Sequence, residues 1–389
     1  MRVAYVTFEA RGGMMHYAES LGSAARRILE AHVVVVAPEA GVAPFRERRG
    51  YLTQALSASV TRHRLLEKYN PLHYRRIARN ICQQTRAEVV HVTCHSVGLA
   101  ALVEELRHRG VVTVYTLHDP LSHEEATTLW GRAFRRYERR TQLPRIARAL
   151  SAIHVHSPSH VPGIAALCPA VSADRIYAVN HGAGLTAAVA GGSIVPAELQ
   201  ALDPRLPTIL FFGRIEPYKG LPLLAEALSR RNDGLRVNVL IAGAGAIDAD
   251  LSRAADQRVV IINRFIDDAE IAAIFRASDL VVLPYLAATQ SGIVPLAYAF
   301  GRPVVATQVG ALPDVVVPDS TGALVEPDDP AALRAALTRL LGDRQRLAAL
   351  QRGASRFLAE HLSWDIVAAQ HVEHYRRLLA RQRVAALTG

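Results

Sequence analysis

Two cations stand five residues apart in the segment LFFGRIEPYKGLPLLAEAL. Arg214 and Lys219 fall in a predicted loop between a strand that ends at Gly213 and a helix that begins near Leu221, with Pro222 in its first turn. Two cations beside a helix N-terminus at the carboxyl edge of a sheet can bind a diphosphate. A solvated loop with ordinary charges is the alternative interpretation.

The choice of lysine at this place favours anion binding. The chain has 45 basic residues, only two of which are lysines, and Lys219 is one of them. Because the chain uses Arg almost everywhere else, a lysine here indicates that a compact ammonium binds the anion better at this position than a planar guanidinium would.

Further candidates follow other predicted strands. Gly12 and Gly13 follow the opening strand and precede a helix, where a glycine pair lets the backbone approach an anion. A tight turn explains this pair equally well, and the segment is not a GxGxxG motif. The segment HSPSH, residues 156–160, puts serines beside histidines, but it lacks the GxSxG form of a hydrolase nucleophile.

The elements that must position these residues alternate between strands and helices. Short runs of Val, Ile and Leu bounded by turn residues are typical of strands buried on both faces of a parallel sheet. The predicted strands are RVAYVTF, HVVVVAP, EVVHVTC, VVTVYTLHD, AIHVHS, TILFFGR, VNVLIAGAG, VVIINRF, LVVLPY and RPVVATQ. A segment rich in Ala, Gly and Pro, residues 180–207, separates the first five from the last five. The chain is therefore predicted to form two doubly wound α/β domains.

Length and composition agree with this prediction. At 389 residues the chain exceeds the size of one hydrophobic core, and 50% apolar with 21% charged residues is typical of a folded protein. The first residues lack the apolar core and cleavage site of a signal peptide, so we expect a cytoplasmic protein. Three cysteines without CxxC spacing indicate neither a zinc site nor a disulfide framework.

The net charge of +10 lies entirely in the first half. Residues 1–185 hold 24 Lys and Arg against 14 Asp and Glu, whereas residues 186–389 hold 21 of each. The stretches 61–79 and 132–148 are predicted to be helices with basic faces. Such faces suit an anionic membrane, a phosphorylated acceptor or nucleic acid, and a solvated helix face is an equal alternative. Nucleic acid is not favoured, because no recognisable binding motif accompanies the arginines.

The run from Leu280 to Gly301 contains no charged residue and has the length of a membrane span. Prolines, glycines and the polar cluster of residues 289–291 interrupt it. It is therefore predicted to be a buried strand, a loop and a helix.

Six segments of the second half resemble, in order and spacing, the signature blocks of glycosyltransferase family 4. They are FFGRIEPYKGLPLLAEAL, VLIAGAG, VVIINRFIDDAEIAAIFRASDLVVLPY, SGIVPLAYAFGRPVVATQVGALPDVV, STGALVEPDDPAAL and LSWDIVAAQHVEHY. In the first half only the glycine pair, HVTCHS and TLHDP resemble the family's more variable domain. The resemblance implies the GT-B fold, in which two Rossmann-like domains face a central cleft.

The resemblance also implies a domain organisation. It consists of an acceptor-binding domain (1–185), a linker (186–206), a nucleotide-sugar-binding domain (207–365) and a helix that returns to the first domain (366–389). The function implied is a retaining glycosyltransferase that moves a hexose-type sugar from a nucleotide-diphosphate sugar to an acceptor hydroxyl. No cofactor and no metal is required.

Residue by residue, the resemblance assigns Arg214 and Lys219 to the donor diphosphate. It assigns His118 to the region of the donor sugar, with His95 as a lower-ranked candidate. The positions it assigns to the nucleoside are Gly243, Gly245, Phe265 and Ile266, and a tight turn is the rival explanation for the two glycines. In the remaining donor site it implies roles for Gly12, Gly13, Gln290, Ser291, Gly292 and Ile293.

The chain departs from the family at two positions. Where many members have glutamates that hold the donor sugar and the ribose, this sequence has Ala288 and Leu296. The form ATQSGIVPLAYAFGRP resembles a TQSG-type subgroup. Backbone amides of residues 291–293 then remain to receive the diphosphate, with Thr289 or Ser291 capping the helix. Gln290 is a candidate for the sugar contact.

The missing glutamates leave alternatives open. One is a non-catalytic nucleotide-sugar-binding protein, and another is a nucleotide-sugar epimerase with the GT-B fold. The expected partners are a nucleotide sugar, a polysaccharide, glycolipid or natural-product acceptor, and an anionic membrane contacted by arginines of the first domain.

Overall fold

Runs of β-branched and other apolar residues form the strands of two separate parallel sheets. The computed structural model describes residues 1–10, 12–56, 70–118, 141–183, 194–229, 234–254 and 257–388. Unit 1 comprises Met1–Gly182 and Trp364–Gly389, and unit 2 comprises Ala183–Ser363. The prediction of two doubly wound α/β domains is confirmed.

Unit 1 is built on a parallel sheet whose described strands run in the order β3-β2-β1-β4-β5-β6-β7. The strands are β1 (Arg2–Thr7), β2 (Glu30–Pro38), β3 (Tyr51–Leu56), β4 (Val89–Val92), β5 (Val112–Thr116), β6 (Ala152–Val155) and β7 (Ile176–Ala178). The helices up to residue 182 are α1 (Gly13–Ala25), α2 (Glu39–Val42), α3 (Pro71–Thr85), α4 (Leu99–His108), α5 (Leu143–Ala149) and α6 (Val161–Leu167). The strand order reverses between β1 and β4, and Thr116 lies opposite His154 in the β5–β6 register.

Unit 2 repeats this architecture, with its described strands in the order β10-β9-β8-β11-β12-β13. The strands are β8 (Thr208–Phe212), β9 (Asn238–Ala242), β10 (Arg258–Ile262), β11 (Leu280–Leu283), β12 (Val304–Thr307) and β13 (Gly322–Val325). The helices are α7 (Leu221–Ser229), α8 (Asp268–Arg276), α9 (Ile293–Ala299), α10 (Leu312–Val315), α11 (Pro330–Leu341) and α12 (Arg344–Phe357).

Both faces of the unit 2 sheet are covered by core. Ile209 and Phe211 of β8 pack into one apolar cluster, while Leu210 and Phe212 pack into another. This alternation follows from the two-residue period of a strand. It explains why the strands of this sheet are apolar at successive positions.

A long helix at the end of the chain, α13 (Trp364–Thr388), completes unit 1. Its Val367, Val372 and Tyr375 are almost fully buried, in the same apolar cluster as Tyr17 and Leu21 of α1. The helix therefore covers one face of the unit 1 sheet.

The predicted linker is only partly described, since residues 184–193 lie outside the described ranges. Residues 194–206 belong to unit 2, where Leu199 and Leu202 pack against its core. Within the ranges that the structure describes, no helix is both long and apolar enough to cross a membrane. The uncharged run is a strand, a loop and a helix, as predicted: β11 ends at Leu283 and α9 begins at Ile293.

The two basic stretches are described in part. Residues 61–69 and 132–140 lie outside the described ranges, and the described parts fall in α3 and α5. Arg79 and Arg145 form ion pairs with Glu105 and Glu104 of α4, at 3.2 and 2.9 Å. Part of the positive charge of these helices is thus neutralised by their neighbour.

Candidate functional site

The strand order of unit 2 reverses between β8 and β11, and ligands of open α/β sheets bind where such a reversal leaves a crevice. The chain after β8 stays beside the chain after β9, because the Gly213 and Ile215 amides donate to the Ala242 and Ala244 carbonyls at 2.9 and 2.8 Å. A short 3-10 turn, Pro217–Lys219, then leads into α7. The helix begins at Leu221, as predicted.

Lys219 is a buried cation at this reversal. Its side chain is 7% exposed, and its Nζ lies 5.9 Å from the ring centroid of Tyr285. Burial lowers the pKa of Lys219 to about 8; Glu216 opposes this shift and Arg214 adds to it. Among the described residues, none accepts a hydrogen bond from Nζ or forms an ion pair with it within 4.0 Å. A buried ammonium in this state is poised to accept an anion, because pairing would offset its loss of hydration.

Close backbone packing holds the turn that contains Lys219 against the segment that follows β11. Gly220 has φ 70°, and a Cβ there would lie 1.8 Å from the Pro284 carbonyl oxygen. Only glycine allows this approach. The Leu286 amide also donates to the Tyr218 carbonyl at 2.7 Å. The position of the ammonium is thus set by the backbone on both sides of it.

Arg214 lies on the surface beside the buried lysine. Its guanidinium is paired with Glu216 at 3.1 Å, and the Arg214 side chain is 72% exposed. The second carboxylate oxygen of Glu216 is buried and has no hydrogen-bond partner among the described residues. An exposed pair of this kind contributes about 1 kcal/mol or less. An anion at Lys219 could therefore recruit Arg214 at little cost.

The segment before α9 supplies polar groups on the other side of Gly213. Ser291 Oγ accepts a hydrogen bond from the Ile293 amide at 3.2 Å. The Ile293 Cδ1 would lie 3.7 Å from a Cβ on Gly213, and Lys219 Nζ would lie 3.0 Å from it. The structure thus brings Lys219 and Ile293 together across one glycine. The N-cap residue of α9 is Gly292, without a side-chain cap bond, so the predicted N-cap at Thr289 or Ser291 is wrong, although the Ser291 hydroxyl does accept from the first amide of the helix.

Gln290 and Gly292 complete this segment. The Gln290 Oε1 is buried and has no partner among the residues described, so it is an unused acceptor. Gly292 directly precedes α9, with φ −67° and ψ −8°. Ala288 and Leu296, at the positions of the expected glutamates, are 9% and 8% exposed and belong to the apolar core of unit 2.

The predicted nucleoside-binding residues lie on two neighbouring loops. Gly243 packs on the chain after β8, since a Cβ there would lie 2.0 Å from the Gly213 carbonyl oxygen. The Gly245 amide donates to Asn263 Oδ1 at 3.1 Å, which joins the loop after β9 to the loop after β10. Phe265 is 75% exposed, whereas Ile266 is 8% exposed and packs into the core.

Hydrogen bonds tie the backbone beside Phe265 to α8. Arg264 donates to both carboxylate oxygens of Glu270, each at 2.7 Å, and Glu270 also accepts from the Asp267 amide. The exposed ring of Phe265 is an apolar surface at the carboxyl edge of the sheet, next to this ion pair. Such a ring can stack on a nucleobase.

The other predicted residues lie in unit 1. Gly12 has φ 78° and directly precedes α1. A Cβ at Gly12 or Gly13 would meet no atom within 4 Å among the described residues. His118 follows β5 and is half-buried, with Nε2 2.7 Å from the Thr93 carbonyl and Nδ1 2.8 Å from His156 Nε2. Burial lowers the pKa of His118 to about 3, so its ring is neutral.

His118 belongs to a larger group, the buried histidine cluster, that the sequence did not reveal. The cluster comprises His91, His118, His154, His156, His181 and His371, packed with Tyr5, Tyr17, Tyr177 and Tyr375. Its histidines come from β4, β6, α13 and the segments that follow β5, β6 and β7. The sequence contained a partial signal, because His156 opens the segment HSPSH at the end of the predicted strand AIHVHS. Among the described residues, no group of three or more His, Cys, Asp or Glu is placed to hold a metal ion.

Two protein-family models match the chain. The model described as Glycosyltransferase Family 4 matches residues 11–187, and the model described as Glycosyl transferases group 1 matches residues 206–343. The D-inositol 3-phosphate glycosyltransferase of Xylanimonas cellulosilytica is 33% identical over 224 residues, 54% of this chain and 53% of that protein. The chain spans about half the length of the curated relatives it matches.

Solved structures resemble the whole chain. Sucrose-phosphate synthase from Thermosynechococcus elongatus has a TM-score of 0.71 at 20% identity, covering 98% of this chain and 100% of that one. Anabaena HepE in complex with UDP-glucose has a TM-score of 0.69 at 16% identity, covering 97% of this chain and 100% of that one. At these identities the likeness concerns the fold.

Proposed function

We propose that the chain is a retaining glycosyltransferase of family 4 that acts on a nucleotide-diphosphate sugar; the two matching glycosyltransferase family models and the GT-B fold support this proposal. It moves a hexose-type sugar to an acceptor hydroxyl. The observation that carries this proposal is the buried ammonium of Lys219, which is 7% exposed at the reversal of the unit 2 sheet. A protein gains from an unpaired buried cation only where an anion arrives to meet it.

The reaction proposed is a front-face substitution. The bond between the anomeric carbon and the diphosphate oxygen breaks, and the acceptor oxygen bonds to the same face of that carbon. The hydroxyl proton passes to an oxygen of the leaving diphosphate. Lys219 and Arg214 stabilise the charge that develops on the diphosphate, which is the kind of interaction that contributes most to catalysis.

The remaining donor contacts follow from the same proposal. The amides of Ser291, Gly292 and Ile293 receive diphosphate oxygens, for which the Ile293 amide must give up its bond to Ser291 Oγ, and the buried Gln290 Oε1 accepts a sugar hydroxyl. The exposed Phe265 ring stacks on the base, beside Gly243, Gly245 and the backbone of Ile266. We assign His118 to the donor sugar and Gly12–Gly13 to the same ligand, on the strength of the family resemblance.

We place the chain in the TQSG-type subgroup that lacks the glutamate pair. The burial of Ala288 and Leu296 in the apolar core supports this placement, since neither side chain can contact a sugar hydroxyl. A uridine diphosphate sugar is the donor to test first, because the solved structure of HepE contains UDP-glucose. The acceptor is a polysaccharide, glycolipid or natural product, and the positive charge of residues 1–185 suits one that carries phosphate.

A donor panel tests the proposal. The purified protein is incubated with UDP-glucose, GDP-mannose and ADP-glucose, and release of the nucleoside diphosphate is followed with and without candidate acceptors. We expect slow release from one donor, loss of that release in Lys219→Met, and no change in Arg344→Gln, which removes an exposed cation of α12. Inversion of the anomeric configuration in the product would contradict the retaining mechanism.

The same panel separates the two alternatives. Measurable donor binding without release of any diphosphate would favour a non-catalytic nucleotide-sugar-binding protein. Conversion of the sugar at one carbon, with the nucleotide still attached, would favour an epimerase.

Membrane contact is a further part of the proposal. The arginines we assign to it, Arg135, Arg136, Arg139 and Arg140, lie outside the described residues. Sedimentation with vesicles containing phosphatidylglycerol should be salt-sensitive and should weaken when these four are changed to Gln. Equal sedimentation with neutral vesicles would contradict a charge-based contact.

A further inference from the structure

The hydrogen bonds of His118 fix where its proton lies. Its Nε2 is 2.7 Å from the Thr93 carbonyl oxygen, which can only accept, so Nε2 carries the proton. In a neutral imidazole the other nitrogen, Nδ1, is then a bare acceptor. It lies 2.8 Å from His156 Nε2, which must therefore donate.

The tautomer of His156 follows in turn. With its proton on Nε2, the His156 Nδ1 is bare, and this atom is buried with no partner in the described part of the chain. The His156 side chain is 3% exposed. A buried acceptor without a hydrogen bond costs free energy. The His156 ring is thus oriented so that its N–H bonds His118 while its own Nδ1 stays without a partner.

Strand pairing brings the two rings together. His118 lies two residues after Thr116 of β5, and His156 lies two residues after His154, which is opposite Thr116 in β6. The Tyr17 ring contacts both histidines edge-on, with centroids 4.9 Å from His118 and 5.5 Å from His156.

Two further rings pack against His156. His154 lies at 4.9 Å and His181 at 5.2 Å between ring centroids. These two rings help to enclose the buried His156.

We propose that His156 is a positioning residue that fixes the ring orientation and the Nε2–H tautomer of His118, and thereby excludes His118 as a general base. The inference rests on the proposed function of His118 at the donor sugar. With Nδ1 occupied by the His156 N–H and the Nε2–H donating to the Thr93 carbonyl, His118 has no unoccupied ring nitrogen that could take the proton of the acceptor hydroxyl. A sugar or phosphate oxygen can receive the Nε2–H only by displacing the Thr93 carbonyl. This agrees with a mechanism in which a diphosphate oxygen takes the acceptor proton.

The first experiment needs no substrate. Long-range ¹H–¹⁵N spectra of the full chain, labelled at histidine, report which ring nitrogen carries the proton, and His118→Asn assigns the signals. We expect a neutral His118 with a protonated Nε2 and a hydrogen-bonded Nδ1 from pH 5.5 to 8. Protonation of Nδ1 in the wild-type protein, in either a neutral or a charged ring, would by itself overturn the proposal.

The second experiment uses a pair of variants. His156→Gln keeps an N–H donor near the Nε2 position, whereas His156→Leu removes it. With the donor identified by the panel, kcat should fall about tenfold to hundredfold in His156→Leu, with KM changed less than threefold, and His156→Gln should recover most of the loss. The exposed His108→Gln serves as control. Equal kcat values for the Gln and Leu variants, both folded by circular dichroism, would contradict the positioning role.

The two experiments separate the two claims. Absence of turnover in the wild-type protein with every donor would count against the proposed function, while the tautomer measured by ¹⁵N spectra would still decide the arrangement of His118 and His156.

Discussion

The ammonium of Lys219 lies 5.9 Å from the ring centroid of Tyr285, and this ring is the only cation–π partner of that lysine among the described residues. The contact with the ring offsets some of the free energy lost when the ammonium is removed from water. It does not replace the hydrogen bonds to water, which a protein acceptor or a bound anion would replace. Burial lowers the pKa of Lys219 from 10.5 to about 8, which corresponds to a cost on the order of 3 kcal/mol for the charged form. This side chain therefore destabilises the unliganded protein.

Lys219→Met should consequently stabilise the unliganded protein. Met fills a similar volume without charge, so the unfolding free energy at pH 7 should rise by about 1 to 3 kcal/mol and the melting temperature by a few degrees. The same variant should lose the stabilisation that millimolar UDP gives the wild-type protein. Differential scanning fluorimetry with and without UDP measures both effects. A lower melting temperature without ligand would contradict the cost assigned to the buried charge.

UDP binding should weaken as the pH rises through about 8. The free protein loses the Lys219 proton near that pH, whereas the complex keeps it, so binding must take up a proton at higher pH. Affinity at pH 9.5 should be about tenfold to thirtyfold lower than at pH 7. Isothermal titration calorimetry in two buffers of different ionisation enthalpy should detect proton uptake at pH 9 and none at pH 6.5. Lys219→Arg, which stays charged, should show no such uptake.

Ser291→Pro and Ser291→Ala should differ sharply. Pro removes the residue 291 amide that we assign to the diphosphate, and loss of one such donor reduces kcat/KM about hundredfold or more. Ala keeps the amide and removes only the hydroxyl that accepts from the Ile293 amide, a loss of about 1 kcal/mol. Steady-state rates of diphosphate release measure the difference. Equal activity of the two variants would argue against an amide-based phosphate site.

The buried histidine cluster should make the protein sensitive to acid. Burial lowers the pKa of His91 and His118 to about 3 and holds those of His154, His156 and His371 well below 6.5. Between pH 6.5 and 3 the unfolded chain binds more protons than the folded chain, so stability falls as the pH falls. Each histidine contributes about 1.4 kcal/mol per pH unit in that window.

Thermal unfolding from pH 8 to pH 4.5 tests this dependence. His371→Phe should lower stability at pH 8, because the Tyr177 hydroxyl loses its partner at 3.1 Å, and should also make the pH dependence shallower by about one proton. The exposed His108→Gln should change neither quantity. A pH dependence unaltered in His371→Phe would show that this ring does not stay neutral.

Much of the fold could be predicted from the sequence, and the strands that were missed share a location in the sheets. Each of the ten predicted strands is present, whereas β3, β7 and β13 were not predicted. All three lie at sheet edges. Edge strands need not be apolar at successive positions, as YLTQAL of β3 illustrates, and β7 has only three residues. The strands were predicted from continuous runs of apolar residues, which are typical of interior strands buried on both faces.

The candidate site was predictable only where its residues are close in sequence. Lys219 follows a recognisable strand and precedes a recognisable helix, so its position at the carboxyl edge was accessible. The contact of Lys219 with Tyr285 depends on the pairing of β8 with β11, in which Leu210 lies opposite Val281, 71 residues later in the chain. The histidine cluster joins β4, β6 and α13, and no local pattern indicates that pairing. Tautomers and unused acceptors depend on packing that a sequence does not display.

The burial of Ala288 and Leu296 bears on how the donor preference of this protein can be redesigned. Both side chains belong to the apolar core of unit 2. A glutamate placed at either position would put a carboxylate among hydrocarbon neighbours, and its ionisation would cost several kcal/mol until those neighbours changed too. Under the proposed function, substitutions at Gln290 and Phe265 are therefore the less destabilising route to a new donor specificity.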